Sequence, residues 1–467
     1  MGLSPTHFVG AIITIIVIIG IGIYSGKRIK SAADFSTGGK QAGSLLVLGV
    51  ITGTLVGGSS TIGTAQLAFS FGLSAWWFTL GGGIACLVLG LIFVKPLRAS
   101  GCDTIQQVIS KEYGVTAGLI TAILGTLGML MNIISQLLSF NALAISIVPI
   151  DPTACALIGM AFMLCYVVFG GVLGAGILGI VKLALLYFAV IVSAALVLRL
   201  SGGFFSLYNA LPHEQYFNFF ARGVGIDAGA GLSLVLGVLS TQTYIQAILA
   251  GRSDRAARTG AFFSALIIPP VGAGGILVGQ YMRLTQPDIN PALAFPHFII
   301  EQLPPLFGGI VLATLLIAVV GTGAGLALGF ATTLTNNIYL KFFNKQGSGK
   351  RTLAVMRILI IFALTVAVIF TLGNLKSVIL SWGFLSMALR GAVLFVPMCA
   401  ALFLRSRVEK QYIIASSILG LAAVIVGKFT ITGGMDPLFI GISVSAATVL
   451  IGVFVKSCKH VDHSNHM

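Results

Sequence analysis

Apolar residues run along this chain in long, nearly uninterrupted blocks that are separated by short polar segments. An α-helix needs about 20 apolar residues to cross the hydrocarbon core of a membrane. Residues 104–112 predict a short amphipathic cytoplasmic helix, and the polar segments 201–227 and 281–305 predict external loops with some helix. The apolar blocks predict about 13 transmembrane spans, numbered 1 to 13 in chain order: 7–25, 44–70, 73–94, 116–147, 153–170, 174–199, 228–250, 260–280, 306–335, 353–373, 377–404, 411–428 and 436–456.

The composition agrees with a membrane protein. Of the 467 residues, 57% are hydrophobic and 8% are charged, whereas about 25% charged residues are usual in soluble domains. If the N-terminus lies outside, 20 of the 27 Lys and Arg residues fall in cytoplasmic loops, as the positive-inside rule requires, and the C-terminus is cytoplasmic. We therefore expect one all-α transmembrane domain over residues 1–467, in the plasma (inner) membrane and in contact with lipid.

Other classes of function find no support. The net charge of +15 comes from short loops rather than from one basic face, so nucleic acid binding is not expected. The six cysteines are scattered without a CxxC pair or a Cys/His cluster, which predicts neither disulfides nor a metal site. An enzyme would need paired acids, a Ser/His set or metal ligands at one depth. We expect no enzyme activity, no cofactor and no obligate protein partner.

Two segments rich in glycine and hydroxyl residues lie inside predicted spans, at 53–63 and 318–325. Broken helix at membrane depth is tolerated only beside a cavity or other protein. Such breaks can aim carbonyl oxygens at a cation and helix N-termini at an anion. Small residues also allow helices to pack closely, so a binding site and tight packing are both open interpretations of each segment.

Two basic residues lie within predicted spans. Lys182 is about a third of the way along span 6, and Arg390 is near the centre of span 11. A buried charge in a membrane is costly and usually functional, although Lys182 could instead extend to the cytoplasmic surface. Arg390 is too deep for that, so we expect a carbonyl or substrate partner. All twelve Asp and Glu residues fall outside the spans or at their ends, which argues against a carboxylate proton relay.

Residues 31–40 (SAADFSTGGK) are similar to the DF/Y-x-x-GG-R entry to the second helix of the sodium:solute symporter family. Residues 241–258 (TQTYIQAILAGRSDRAAR) resemble the end of its seventh helix, with Ala247 in place of the usual Arg. Residues 295–322 (FPHFIIEQLPPLFGGIVLATLLIAVVGT) resemble its segment around the ninth helix. The three occur in the family's order, and the likeness runs over nearly the whole chain.

The resemblance implies a LeuT-type fold, in which two five-helix repeats of opposite orientation form the core. Spans 2–6 (residues 44–199) and spans 7–11 (residues 228–404) would be the repeats. Span 1 (7–25), spans 12 and 13 (411–456) and a short cytoplasmic tail (457–467) would flank them. We also expect span 2 to unwind near residues 53–58.

The resemblance further implies a sodium site between spans 2 and 9. Its oxygens would be the carbonyls of Gly53, Val56 and Ala318 and hydroxyls at positions 321 and 322. This chain has Gly321 and Thr322, so one hydroxyl is missing.

Span 6 also differs from the family pattern. Gly179 stands where the family carries an Asp, and Lys182 where it carries a Gln. In some other LeuT-type transporters a Lys or Arg takes the place of the sodium ion. The Lys182 ammonium would then bond to the Gly53 and Val56 carbonyls and the Thr322 hydroxyl, with the missing hydroxyl at 321 leaving room for the side chain.

The expected function is secondary active transport of a small organic solute by alternating access, with symport of sodium as the ordinary mode. The alternative is a sodium-independent transporter, coupled to protons or driven by exchange, with Lys182 replacing the ion. A transporter-like sensor and a channel remain further alternatives. The solute is expected to contact Ser59, Ser60, Gln66 and Gln242 near mid-membrane. Span 7 lacks the Asn and aromatic contacts of the family's sugar transporters, so sugars are disfavoured.

Overall fold

The computed structural model describes residues 3–26, 41–148, 150–344, 349–430 and 434–465, with side chains placed except at 22–26, 168–175, 350 and 459–465. Regular structure in these residues is helical, and an isolated bridge between Ala42 and Gly251 is the one β-type pairing among them. The segment 31–40 that resembles the family motif lies outside the described residues.

Twenty α-helices, joined in places by wider or tighter helical turns, make up the described chain. In chain order they are α1 Pro5–Gly26, α2 Ser44–Leu55, α3 Thr64–Phe71, α4 Trp77–Val88, α5 Val94–Ala99, α6 Ile105–Tyr113, α7 Val115–Ile147, α8 Pro152–Leu200, α9 Phe204–Ala210, α10 His213–Tyr216, α11 Val224–Leu239, α12 Gln242–Ala250, α13 Asp254–Thr285, α14 Ala294–Gln302, α15 Pro305–Leu334, α16 Gly349–Leu372, α17 Ile379–Arg390, α18 Val396–Phe403, α19 Lys410–Thr430 and α20 Leu438–Asn465. Wider π-helical turns lie at Ser59–Gly63, Leu89–Phe93, Thr335–Phe343 and Gly391–Phe395, and 3₁₀ turns at Gly72–Trp76 and Pro291–Leu293.

The multi-pass, all-helical prediction is confirmed. Nine helices in the described parts of the chain are long and apolar enough to cross a membrane, or ten if α11 and α12, which meet at 47°, form one span. Shorter apolar helices cover Pro5–Ile21, Ser44–Leu55 and Pro152–Val167. The outward faces carry exposed apolar side chains, as lipid contact requires. The number thirteen and the orientation remain predictions.

The structure corrects the break predicted between spans 5 and 6. Helix α8 is continuous over its 49 residues. The intervening sequence 168–175 contains glycines but no proline or charged residue, so nothing in it forces the helix to end. A straight helix of this length would measure about 73 Å, more than twice the hydrocarbon thickness of about 30 Å. The element is therefore too long for one straight crossing.

Two helices are broken in the middle of the molecule. Helix α2 ends at Leu55, Val56 leaves the helical conformation (φ −91°, ψ 98°), and helical structure resumes with the π-turn at Ser59. This confirms the predicted unwinding and places it at residues 56–58. A second break, at Ser240 and Thr241, separates α11 from α12. One break lies in each predicted repeat.

Helix α8 packs against α2 through glycines on one of its faces. A Cβ on Gly179 would lie 2.0 Å from the Gly49 carbonyl oxygen, and a Cβ on Gly49 would lie 2.2 Å from the Gly176 carbonyl oxygen. Residues three apart share a face of a helix, so Gly176, Gly179 and Lys182 all point at α2. Glycine at 179 therefore allows the next turn of α8, which carries Lys182, to pack against the α2 break.

We predict that Gly179→Ala destabilises the protein by about 1–3 kcal/mol, because the methyl group would force two backbones apart. The measurement is thermal unfolding of the purified protein in detergent. Gly20→Ala is the matched control, since a Cβ there has no atom within 4 Å. Equal stability of the two variants would contradict the close packing of α2 and α8.

Candidate ion and substrate site

The α2 break is held open by hydrogen bonds to α7. The Gly58 N–H donates to Gln136 Oε1 (2.9 Å), and the Gly57 N–H donates to Ser60 Oγ (2.8 Å). A Cβ on Gly57 would come within 2.5 Å of Thr322 Oγ1, and one on Gly58 within 2.4 Å of Ser139. Glycine is thus required at both positions for α7 and α15 to approach the unwound backbone.

The Lys182 side chain crosses from α8 to this break and reaches α15. Its Nζ donates to the carbonyl oxygens of Gly53 (2.6 Å) and Ala318 (3.0 Å) and to Thr322 Oγ1 (2.9 Å). The ammonium group has three donors, and all three are used. Only 2% of the residue is exposed, so the side chain is buried rather than extended to a membrane surface.

Each partner of Lys182 is an oxygen of the expected sodium site. The structure corrects one detail, since the Ala318 carbonyl takes the place expected for that of Val56. The Val56 carbonyl lies 3.4 Å from the Thr322 hydroxyl, which is also 3.4 Å from the Gly53 carbonyl. The three acceptors of the ammonium therefore come from both the broken helix α2 and α15.

Gly321 does not make room for Lys182. A Cβ at this position would meet the Tyr166 hydroxyl at 3.1 Å, and its three nearest neighbours include no lysine atom. The space that a hydroxyl residue would fill is therefore taken by Tyr166 from α8, and Gly321 contributes no side-chain ligand. Lys182 reaches the site instead because glycines at 49, 176 and 179 let α8 pack closely against α2.

In the part of the chain that the structure describes, only neutral groups bond to the Lys182 ammonium. Among the described residues Lys182 has no ion pair, and its partners are two carbonyls and a hydroxyl. Hard cations such as sodium are bound in proteins by similar oxygen sets. The geometry places one fixed cation where an oxygen-lined cation site is expected.

The four predicted solute contacts are all buried, but they do not form one cluster. Ser59 Oγ lies 2.9 Å from Ser135 Oγ and accepts a hydrogen bond from Gln136 Nε2. Ser60 Oγ donates to the Gly57 carbonyl within the break. Gln66 Oε1 accepts from the Ile379 N–H (2.8 Å). Ser59 and Ser60 border the α2 break, and Gln66 lies further along the chain in α3.

Gln242 lies at the second break and turns away from the first. Its amide oxygen accepts from the Ile105 N–H (3.1 Å), and its amide nitrogen donates to the Asp103 carbonyl (2.9 Å). It therefore ties α12 to the start of α6. That short helix is present as predicted, with Thr104 as its N-cap.

Sequence reasoning missed the contribution of α7. Ser135 and Gln136 bond the α2 break, and Asn132 accepts from Gln136 Nε2 one turn earlier. Amide and hydroxyl side chains at helical spacing inside a predicted span were the available signal. For the break at Ser240 and Thr241 the signal in the sequence was weaker. It consisted of two hydroxyl residues directly after an apolar segment.

Arg390 lies fully buried beside the second break. Its Nη1 donates to Thr241 Oγ1 (2.5 Å), its Nη2 to Ser386 Oγ (2.6 Å) and its Nε to the Ser386 carbonyl (3.1 Å). The expected carbonyl partner is present. Arg390 thus links α17 to the unwound residues between α11 and α12.

Polar contacts join helices at both ends of the helical core. At the end predicted to be cytoplasmic, Ala42 pairs with Gly251 through the bridge, and Arg98 bonds Asp254 (2.7 Å). At the opposite end, Asp227 accepts from Ser74 Oγ (2.7 Å) and Arg222 Nε (2.8 Å). The Arg222 guanidinium also lies over the Phe384 ring at 5.4 Å.

The sequence model of the sodium:solute symporter family matches residues 35–420. The chain belongs to the sodium:solute symporter family. High-affinity choline transporter 1 of Caenorhabditis elegans is 24% identical over 74% of this chain. The high affinity choline transporter 1 of Homo sapiens is 23% identical over 77% of it. The matched part covers 65% and 66% of those two proteins, just under two thirds of their length.

Solved structures support the fold. A substrate-bound, outward-open Na+-coupled sialic acid symporter superposes with a TM-score of 0.78 at 14% identity, over 97% of this chain and 98% of that one. MHP1, a nucleobase-cation-symport-1 family transporter in a closed conformation, gives 0.60 at 12% identity, over 91% and 94%. The expected LeuT-type fold is confirmed. This symporter-family chain is a multi-pass protein of the plasma membrane.

We predict that Thr322→Val lowers the stability by about 1–3 kcal/mol, because the buried Lys182 ammonium would lose one of its three acceptors. Thr314→Val is the matched control in α15, since its hydroxyl bonds the Ile310 carbonyl of the same helix (2.8 Å). Thermal unfolding of both purified variants is the measurement. Similar losses of stability in both variants would show that the Lys182–Thr322 hydrogen bond contributes no more than a hydrogen bond within one helix.

Proposed function

We propose that this protein is a secondary active transporter that moves a small organic solute by alternating access. Family membership carries the proposal, and the fold supplies the parts that the mechanism needs. Each repeat has a helix broken at mid-membrane, where unpaired backbone groups can bind a solute or an ion. Polar contacts join helices at each end of the core, and alternating access would require one set to open while the other holds.

We further propose that the ammonium of Lys182 acts in place of a sodium ion between α2 and α15. The supporting observation is that all three of its donors point at oxygens of the expected ion site. A sodium ion at the same position would compete for those oxygens and meet a like charge. Coupling would then run through protons or through solute exchange rather than through sodium at this site.

Sodium symport is the second candidate function. It is favoured by the family, and by the oxygens of Gly53, Val56, Ala318 and Thr322, which all remain close to one another. Sodium could bind there only after Lys182 withdraws. The two candidates therefore differ in whether sodium binds the protein while Lys182 is present.

For the solute, we propose contacts with Ser59 and Ser60 at the α2 break and with Gln66 in α3. Gln242 would act at the second break, after its bonds to α6 loosen. The solute is small, because these residues are closely surrounded by helices. Purified protein can be screened by thermal shift against amino acids, carboxylates, amines and vitamins, and the strongest ligand tested for counterflow in proteoliposomes. Ligand binding without counterflow of any bound compound would reject transport.

We predict that sodium chloride, compared with N-methylglucamine chloride, does not raise the melting temperature of the wild-type protein. Lys182→Ala should gain a sodium-dependent rise, because removal of the ammonium frees the oxygens for the ion. Lys111→Ala, at an exposed lysine of α6, is the control and should behave as wild type. A strong sodium-dependent rise in the wild type, unchanged by Lys182→Ala, would favour sodium symport.

A further inference from the structure

The Arg390 guanidinium is a buried charge held by neutral groups. It donates to the Thr241 hydroxyl, the Ser386 hydroxyl and the Ser386 carbonyl, and its Nη2 also contacts Met387 Sδ (3.2 Å). In the described part of the chain no carboxylate pairs with it. Buried arginines are ordinarily paired with an anion, so the absence of one at mid-membrane needs a physical explanation.

The start of α12 adds positive potential at the same place. Helix α12 begins at Gln242, directly after Thr241. Thr241 does not cap the helix, because its hydroxyl donates back to the Gly237 carbonyl. The uncapped N-terminus of a helix carries a partial positive charge and unpaired N–H groups. A guanidinium and a helix N-terminus therefore converge on one point.

Polar side chains without protein partners lie next to Thr241 in the chain. The hydroxyls of Ser240, Thr243 and Tyr244 are buried and have no hydrogen-bond partner among the described residues. Tyr244 is completely buried and follows Thr241, the residue that Arg390 bonds, by three positions in the chain. A buried hydroxyl is stable only when it is bonded. These groups supply donors for a ligand that carries acceptor oxygens.

Glycines in the helices around Arg390 leave space for its side chain. A Cβ on Gly128 of α7 would lie 2.5 Å from Arg390 Cγ, and a Cβ on Gly237 would lie 2.5 Å from Met387 Cβ. Glycine at both positions lets α7 and α11 close on α17. Arg390 is thus fixed at the break of the second repeat, as Lys182 is fixed at the break of the first.

We propose that Arg390 binds the carboxylate of the transported solute, together with Tyr244 and the N-terminus of α12. The guanidinium has five N–H donors, and its bonds to Thr241, Ser386 and Met387 use four of them, so one N–H on Nη1 remains to donate a charge-assisted hydrogen bond to a carboxylate oxygen. A cationic solute such as choline would meet the like charge of the guanidinium in a medium of low dielectric constant, so an organic anion is the better fit. This inference rests on the proposed transport function for the origin of the ligand.

The test is a comparison of matched ligands on the purified full-length protein. Thermal shift and calorimetry would compare a series of carboxylates, from formate to hexanoate with lactate and nicotinate, against lactamide, nicotinamide and choline. We expect at least one carboxylate to bind while its amide does not. Preference for choline, equal binding of acid and amide, or no binding by any carboxylate would overturn the proposal.

Variants then assign the binding to Arg390. Arg390→Gln should weaken carboxylate binding at least about tenfold, Arg390→Lys should retain part of it, and Tyr244→Phe should weaken it without loss of the fold. Exposed Arg199→Gln is the control. Because the Tyr244 hydroxyl bonds to none of the described residues, a purely structural role for Arg390 predicts no effect of Tyr244→Phe. Unchanged carboxylate affinity in both Arg390→Gln and Tyr244→Phe would refute the assignment.

Counterflow separates this inference from the proposed function. If the labelled carboxylate binds through Arg390 but shows no counterflow in proteoliposomes, the binding site stands and transport fails. If choline shows counterflow that Arg390→Lys leaves unchanged, transport stands and the carboxylate site is wrong.

Discussion

The contact between the Lys182 ammonium and three oxygens joins the elements that define this site. It connects the long helix α8, the unwound end of α2 and the middle of α15 in one set of hydrogen bonds. Helices α2 and α8 could not approach so closely without glycine at 49, 176 and 179. The break in α2 in turn exposes the Gly53 carbonyl, which a continuous helix would have used internally.

Buried positive charge is the second constraint on the structure. In the described core, Lys182 and Arg390 are each compensated by hydroxyls and carbonyls, while the buried Asp227 is paired with Arg222 near one end. Neutral dipoles can stabilise a buried cation, and in a medium of low dielectric constant a buried cation attracts anions and repels other cations.

The two helix breaks have similar roles but different chemistry. At the first, Gly57 and Gly58 donate to Ser60 and Gln136, so the unwound backbone is bonded within the protein. At the second, Thr241 bonds to Arg390 and to Gly237, while neighbouring hydroxyls have no partner among the described residues. A basic side chain of the protein bonds at each break, Lys182 at the first and Arg390 at the second, and the unpartnered hydroxyls at the second leave hydrogen-bonding capacity there.

The sequence by itself determined the medium, the helical class and the region of the first break. Long apolar blocks can satisfy their backbone groups in a bilayer only as helices, and the cluster of Gly, Ser and Thr at 53–63 could not form a uniform lipid-facing helix. The family pattern also pointed to Lys182 and to the oxygens around it. Tertiary structure alone decided which oxygens bond the ammonium, that Tyr166 fills the space beside Gly321, and that α8 continues through residues 168–175. It also decided that Gln242 faces α6 and that Arg390 meets Thr241. These outcomes depend on distances between helices far apart in sequence, which hydrophobic periodicity and local motifs do not encode.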